Sequence, residues 1–254
     1  MMQDNAIRST GPLTMDAPWR WLQRGWADLA AAPALSVGYG LAIVGGGAVI
    51  ILTLQRNGMA AAIPFALGLF ALVAPLLALP LYEMSRRREA HEPVGLFPVR
   101  FAEKGAAIQV AYMGFLVAFG ALVWALVGIL LFAIFTASHR APLQDFAAFL
   151  IGTPRGLAMA TIGTVLGGAI AFAIYAATVV SIPMLMNERS DVFSGVAAGV
   201  RAIRKRPGPM LLWAWLIGVF VAAGVATFFV GLAVVFPLLG HATWAAYRDI
   251  RASV

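Results

Sequence analysis

The stretch from Pro207 to Tyr247, PGPMLLWAWLIGVFVAAGVATFFVGLAVVFPLLGHATWAAY, runs for 41 residues without an Asp, Glu, Lys or Arg. At 1.5 Å per residue this is about 60 Å of helix, twice the roughly 30 Å hydrocarbon core of a bilayer. One helix of that length would leave half its apolar surface in water. The stretch therefore reads as two spans joined by a tight turn near Gly224–Thr227.

Working outward, four more charge-free gaps appear: Leu29–Gln55, Asn57–Tyr82, Gly105–His139 and Gly156–Asn187. Each is long enough for one span, and the last two are long enough to tilt or protrude. Six spans follow, at about 34–54, 60–82, 107–135, 157–186, 208–224 and 227–246. The composition agrees. The chain is 61% hydrophobic and 11% charged, with a mean hydropathy of +0.87, whereas a soluble domain carries about a quarter charged residues. The expected fold is all-α, a polytopic membrane helix bundle. Residues 1–15 read as a disordered N-terminal tail and 16–254 as a single transmembrane domain. The first 30 residues hold Asp4, Asp16 and Asp28 and no continuous apolar run, so the first span reads as an uncleaved anchor.

The loops set the orientation. Of the 18 Lys and Arg, fifteen fall on the side that holds both termini, the loop between spans two and three, and the loop between spans four and five. The positive-inside rule puts that side in the cytoplasm. The net charge of +7 is thereby explained by topology, and no nucleic-acid partner is expected.

The segment before the first span has helical periodicity. Trp19, Leu22, Trp26 and Leu29 share one face, while Arg20, Gln23, Arg24 and Asp28 fall largely on the other. Asp16 is placed to cap this helix and Pro33 to end it. An interfacial helix is expected, with Trp19 and Trp26 in the headgroup zone and Arg20 and Arg24 toward anionic lipid. The pattern returns 174 positions later as Phe193, Val196, Val200 and Ile203, followed by Pro207. Here Ser190 stands in the place of Asp16, Gly199 matches Gly25, and Arg204, Lys205 and Arg206 face the lipid. A weaker copy, Pro93, Val94, Phe97 and Phe101, lies between spans two and three. Pro75-Leu76-Leu77 is echoed by Pro237-Leu238-Leu239. The chain thus reads as a threefold repeat of a cytoplasmic interfacial amphipathic helix and a helical hairpin. Leu143, Phe146, Phe149 and Leu150 suggest a further short helix on the outer side.

Chemistry is sparse. The absence of cysteine excludes disulfides, thiolate nucleophiles and Cys-type metal sites. No ionisable residue lies near the middle of a span, where proton pumps and cation-coupled carriers keep theirs. Glu83, Glu188 and Asp249 stand at cytoplasmic span ends beside arginines, as loop ion pairs would. Of the three histidines, His91 and His139 belong to loops, and only His241 lies near a span end. Met84, Met184, Met186 and Met210 cluster at similar depth, and thioethers bind Cu(I), but nothing joins them as a ligand set. Pro64, Pro75, Pro80, Pro183 and Pro237 kink or end spans. Gly163 and Gly167, and the run Gly45–Gly47, permit close helix approach. No catalytic, cofactor or metal site is assigned. The group chosen as most worth watching is a cytoplasmic-rim cluster of His241, Trp244, Tyr247, Glu83 and Arg86.

Three further stretches carry a family resemblance: Trp21-Leu22-x-x-Gly25-Trp26-x-Asp28-Leu29, Arg206 through Trp213, and Pro237 through Trp244 with Tyr247-Arg248-Asp249. With these the chain resembles a group of bacterial predicted integral membrane proteins of unknown function. The resemblance implies a bacterial inner (plasma) membrane protein and supplies no mechanism. Some members look to be labelled cytochrome c oxidase subunit I. That subunit needs a bis-histidine haem, a second haem and a three-histidine copper site, which three histidines cannot supply.

The function expected from the sequence is a non-enzymatic accessory, assembly or scaffold role for a membrane complex. Its partners would be membrane lipids with anionic headgroups and another membrane protein complex, and no cofactor is assigned. A transporter of a neutral or amphiphilic small molecule or lipid is the alternative, and a haem- or copper-binding redox-associated protein the second alternative.

Overall fold

The computed structural model describes residues 13–59, 62–101, 105–136 and 146–253, and its regular elements are all helices, with no strand among the described residues. In an apolar solvent an exposed amide cannot bond to water, so each span must satisfy its own backbone as a helix. The helices in chain order are α1 Ala17–Ala31, α2 Pro33–Arg56, α3 Ile63–Leu77, α4 Leu79–Glu89, α5 Ala106–Thr136 and α6 Phe146–Gly152. They continue as α7 Pro154–Thr178, α8 Ser181–Asn187, α9 Val192–Lys205, α10 Pro207–Ala226 and α11 Leu232–Ser253.

Among the described residues five helical stretches are long and apolar enough to cross a bilayer: Pro33–Arg56, Phe65–Glu89, Ala106–Thr136, Pro154–Asn187 and Pro207–Ala226. They match the first five expected spans. The sixth expected span falls in α11, a helix of 22 residues whose last turns carry Arg248, Asp249 and Arg251. The last turn of chain before it comes later than expected. Helix α10 runs to Ala226, and Thr227 organises the reversal, its hydroxyl donating to Gly224 O (2.8 Å) and accepting from Gly231 N (2.9 Å). Phe228 and Phe229 take positive φ there. Gly224 is a contact point against Leu232 rather than part of the turn.

Proline sets several helix boundaries. Pro80 lies in the first turn of α4, and Pro75 and Pro237 lie inside α3 and α11. Pro33 and Pro207 open α2 and α10, and the residue before each is forced out of the helical region. Ala32 has φ −142°, ψ 63° and Arg206 has φ −137°, ψ 65°, so the two positions, 174 apart, bend the chain alike. Asp191, not Ser190, caps α9, accepting from Ser194 N at 2.9 Å. Asp16 makes no such cap to α1 and accepts instead from Thr14 and Arg20.

The chain separates into two compact units. One comprises Met1–Gly45, Pro75–Met113 and Tyr175–Val254, and the other Gly46–Ala74 and Gly114–Ile174. In the second, Trp124 packs over Gly68 and Gly167, Phe65 over Gly128, and Leu131 over Gly163. Phe132, Phe146 and Phe149 form an aromatic run with centroid separations of 5.7 and 6.2 Å. The small-residue step Gly163–Gly167 is thus used within the chain.

In the first unit α11 is central, packed against α1, α4, α8 and α10, while α4 and α8 also touch each other. Gly25 lets α1 meet α11, since a Cβ there would lie 2.7 Å from Ala242 N. Gly199 does the same for α9 against the Ala176 carbonyl of α7.

Two expectations are corrected here. The middle interfacial helix is absent: Pro93–Phe101 is non-helical, because Pro93, Gly95 and Pro98 interrupt it and its backbone is used elsewhere. The Pro98 carbonyl accepts from Arg87 Nη2 at 2.6 Å. Helix α1 leaves Trp19 and Trp26 about half exposed, as expected of the headgroup zone, but it buries Arg24, expected toward lipid, together with Trp21, Gly25 and Leu29. Of the tail expected at 1–15 only 13–15 are described, and Leu13 is buried. His139, Arg140, Lys104 and Leu143 lie outside the described residues.

Candidate functional site

Helices α1, α4 and α11 bring a set of polar side chains into the interior of the first unit. Glu83 and Asp249 are wholly buried, as is His241, while Arg24 and Arg87 are nearly so. Burying a charge without a partner costs several kcal/mol, so the bonding of each group decides whether this is a structural core or a reactive one.

Glu83 is saturated. Its Oε2 accepts from Arg86 Nε at 3.0 Å and from the Arg100 amide at 3.3 Å. Its Oε1 accepts from Arg86 Nη2 at 2.8 Å and Arg87 Nε at 2.6 Å. Two arginines on the next helical turn reach it because i, i+3 and i, i+4 positions share a face. Asp249 accepts from Trp21 Nε1 at 2.8 Å and pairs with the Arg24 guanidinium. Arg88 bonds Asp28 Oδ1 at 2.9 Å and the Ala27 carbonyl. These contacts tie α1 to both α4 and α11.

His241 bridges three helices. Its Nδ1 shares a hydrogen bond with Ser85 Oγ at 2.8 Å and its Nε2 one with Ser36 Oγ at 3.1 Å. A neutral imidazole donates at one nitrogen and accepts at the other, and two rotatable hydroxyls satisfy either tautomer. Both ring nitrogens are thus engaged by serines of the chain.

At the exposed margin, Tyr247 donates to Glu188 Oε1 at 2.6 Å, and Arg251 grips the same carboxylate at 2.8 and 2.6 Å. Burial pulls the Glu188 carboxyl up, but the Arg251 guanidinium and the Tyr247 hydroxyl outweigh it and hold it below the ordinary carboxylate value.

The candidate rim cluster therefore divides into three bonded groups. Glu83 and Arg86 are one, His241 with two serines another, and Tyr247 with Glu188 the third. Trp244 is buried with its ring 5.3 Å from that of Tyr247. Among the residues placed at the lipid interface, Trp19 and Trp26 are exposed, Arg20 is partly exposed beside Asp16, and Arg204, Lys205 and Arg206 are exposed. Arg24 is corrected: it faces inward to Asp249, not outward to headgroups. Met84, Met184, Met186 and Met210 are all buried. His91 sits exposed in the turn after α4 and shares no site with His241. Among the described residues no three His, Asp or Glu side chains converge as metal ligands would.

Sequence reasoning missed Ser36, Ser85, Trp21 and Arg87. The available signal was spacing: Trp21, Arg24 and Gly25 fall on one helical face, and a glycine on a face marks close helix approach.

Residues 62–187 match the model of a family described as predicted integral membrane protein (DUF2189). Over that segment the chain is similar to the DUF2189 family. It is an integral membrane protein, and the family description assigns no activity. Comparison with curated proteins and with solved structures gave no match. The DUF2189 segment contains Glu83, Ser85, Arg86 and Arg87 as well as α8, whereas Ser36, Arg24, His241 and Asp249 lie outside it. The polar core is thus completed by chain that flanks the DUF2189 segment on both sides. The three motifs that first carried the resemblance also lie in those flanks.

Proposed function

We propose that this protein is a non-catalytic component of a membrane complex, acting as an accessory or assembly subunit. The observation that carries this reading is the state of α2. Of its 24 residues only Ser36 and Gly40 are buried by the chain. A side chain grown at Gly45, Gly46 or Gly47 would meet no atom of the chain within 4 Å. Three consecutive glycines weaken a helix by about 1 kcal/mol each relative to alanine, and small residues are what helices use to approach one another closely in a membrane. Consecutive glycines open the helix in directions about 100° apart, and a second membrane helix seated on part of that open surface gives the glycines facing it a role.

The polar core supports the same reading. Its carboxylates and its imidazole are engaged by partners within the chain, which suits a scaffold whose charges hold its own fold. In this account the chain crosses the bacterial inner membrane six times, with α11 as the last span. Both termini are cytoplasmic, and α1–α3 and α9–α11 are repeats of one design.

The test is native mass spectrometry on protein extracted together with its native lipid, without strong detergent. A second protein at fixed stoichiometry is the expected result. A bare chain overturns the proposal. A bound small molecule with no protein overturns it in favour of a carrier.

A further inference from the structure

We propose that α9 is a binding surface for anionic phospholipid headgroups, with Phe193 inserted among the acyl chains. Helix α9 packs inward through Val192, Gly195, Ala198, Gly199 and Ala202, and its opposite face is open. Phe193 is 86% exposed and Val200 40%. Phe193, Val200 and Arg204 recur at intervals of seven and four residues, which places them along one stripe of the helix. The apolar end of this stripe gives way to Arg201, Arg204, Lys205 and Arg206, all exposed. None of the four has an ion-pair partner among the described residues.

Two observations fix the occupant as a lipid surface. The first is continuity: the apolar span Pro207–Ala226 begins at the residue after Arg206. The cationic end of α9 therefore stands where the chain enters the membrane, at headgroup level. The second is charge complementarity, since clustered cations beside a span are drawn to anionic lipid.

Helix α1 supplies the contrast. In the 174-residue register Trp19 and Trp26 occupy the places of Phe193 and Val200 and are likewise exposed. The places of Arg201, Arg204, Lys205 and Arg206 are held by Ala27, Ala30, Ala31 and Ala32. Both helices present an apolar wedge, and only α9 couples it to charge. The alternative role for Arg204 and Lys205, neutralising the negative pole of their own helix, requires no lipid and would be the same in every bilayer.

The chain lacks cysteine, so Phe193→Cys introduces a single labelling site at an exposed position. The full chain carrying a fluorophore there is placed in nanodiscs of phosphatidylcholine alone or of phosphatidylcholine with phosphatidylglycerol, and quenching by an aqueous collisional quencher is measured. Phosphatidylglycerol is expected to lower the quenching constant at least about threefold, and high salt to erase the difference. In the background Arg201→Gln, Arg204→Gln, Lys205→Gln, Arg206→Gln, the two bilayers should give the same value. Equal quenching in both bilayers for the unsubstituted basic cluster overturns the proposal. Equal protection by inorganic phosphate in phosphatidylcholine discs also overturns it, in favour of a soluble anion site.

Discussion

Arg24 of α1 and Asp249 of α11 form a buried ion pair that joins the first described helix to the last, with Trp21 donating to the same carboxylate at 2.8 Å. The carboxylate is wholly buried. Each charge offsets much of the cost of burying the other, so the pair acts as a lock on the terminal helices.

Removing one partner should therefore cost far more than removing both. Asp249→Leu leaves Arg24 buried and unpaired, an expected loss of about 3–5 kcal/mol. Adding Arg24→Leu should recover most of it. The remaining deficit, about 1–3 kcal/mol, reflects the Trp21 N–H left without its acceptor. Thermal unfolding of the three proteins in one lipid nanodisc composition measures this, and equal losses for the single and double variants would refute the lock.

His241 gives a second test of a structural core. His241→Leu deprives the Ser36 and Ser85 hydroxyls of their partner together, and should destabilise by about 1–3 kcal/mol. A helical serine can turn back to the carbonyl four residues earlier, so the lower end is expected. Ser85→Ala alone should cost about 1 kcal/mol. Adding Ser36→Ala and Ser85→Ala to His241→Leu should restore stability, as read by the same unfolding measurement.

Much of this architecture is legible in the sequence, because charge is excluded from the bilayer and its absence marks spans directly. The five apolar helices and the prolines that open α2 and α10 follow from that rule. The inward face of α1 does not. In water an apolar stripe points to the core, but in lipid Trp19 and Trp26 can face outward, leaving Trp21, Arg24 and Gly25 to pack. The stripe places Trp19 and Trp26 outward, but periodicity does not show that Arg24 turns inward with Trp21. The polar core was half visible: Glu83 with Arg86 is local in sequence. Asp249 with Arg24, and His241 with Ser36, are pairings more than 200 positions apart, set by how α1, α2 and α11 pack. The middle interfacial helix failed because apolar spacing was read through two prolines.

The Glu188–Arg251–Tyr247 group should give a pH-dependent contribution to stability. The folded-state carboxyl lies below its ordinary value, so the unfolded chain binds the proton more readily. The stabilisation is complete above the unfolded carboxylate value near 4.5 and is lost as pH falls through the lower folded value. Glu188→Gln should flatten unfolding temperature against pH over that acid range and leave the Asp249 lock unaffected. Partial exposure keeps the effect small, about 1 kcal/mol at most.

Glycine substitutions separate contacts within the chain from a face that the chain leaves open. Gly25→Leu and Gly199→Leu drive a side chain into the backbone of a neighbouring helix and should each destabilise by about 3 kcal/mol or more. A Cβ at Gly46 meets nothing within 4 Å, so Gly46→Leu should leave the isolated chain at least as stable as before, with a gain of up to about 1 kcal/mol from helix propensity. It should nonetheless weaken assembly if α2 seats a partner helix, so unfolding temperature and recovery of the complex are measured side by side.

The proposal of an accessory subunit is tested most directly by a photoreactive residue at Ile50, an exposed position on α2, illuminated in living cells of the native host. A matching residue at the buried Leu81 serves as control. The account predicts one discrete protein adduct from Ile50, lost in the Gly46→Leu background, and none from Leu81. Adducts to lipid alone from Ile50 would contradict it.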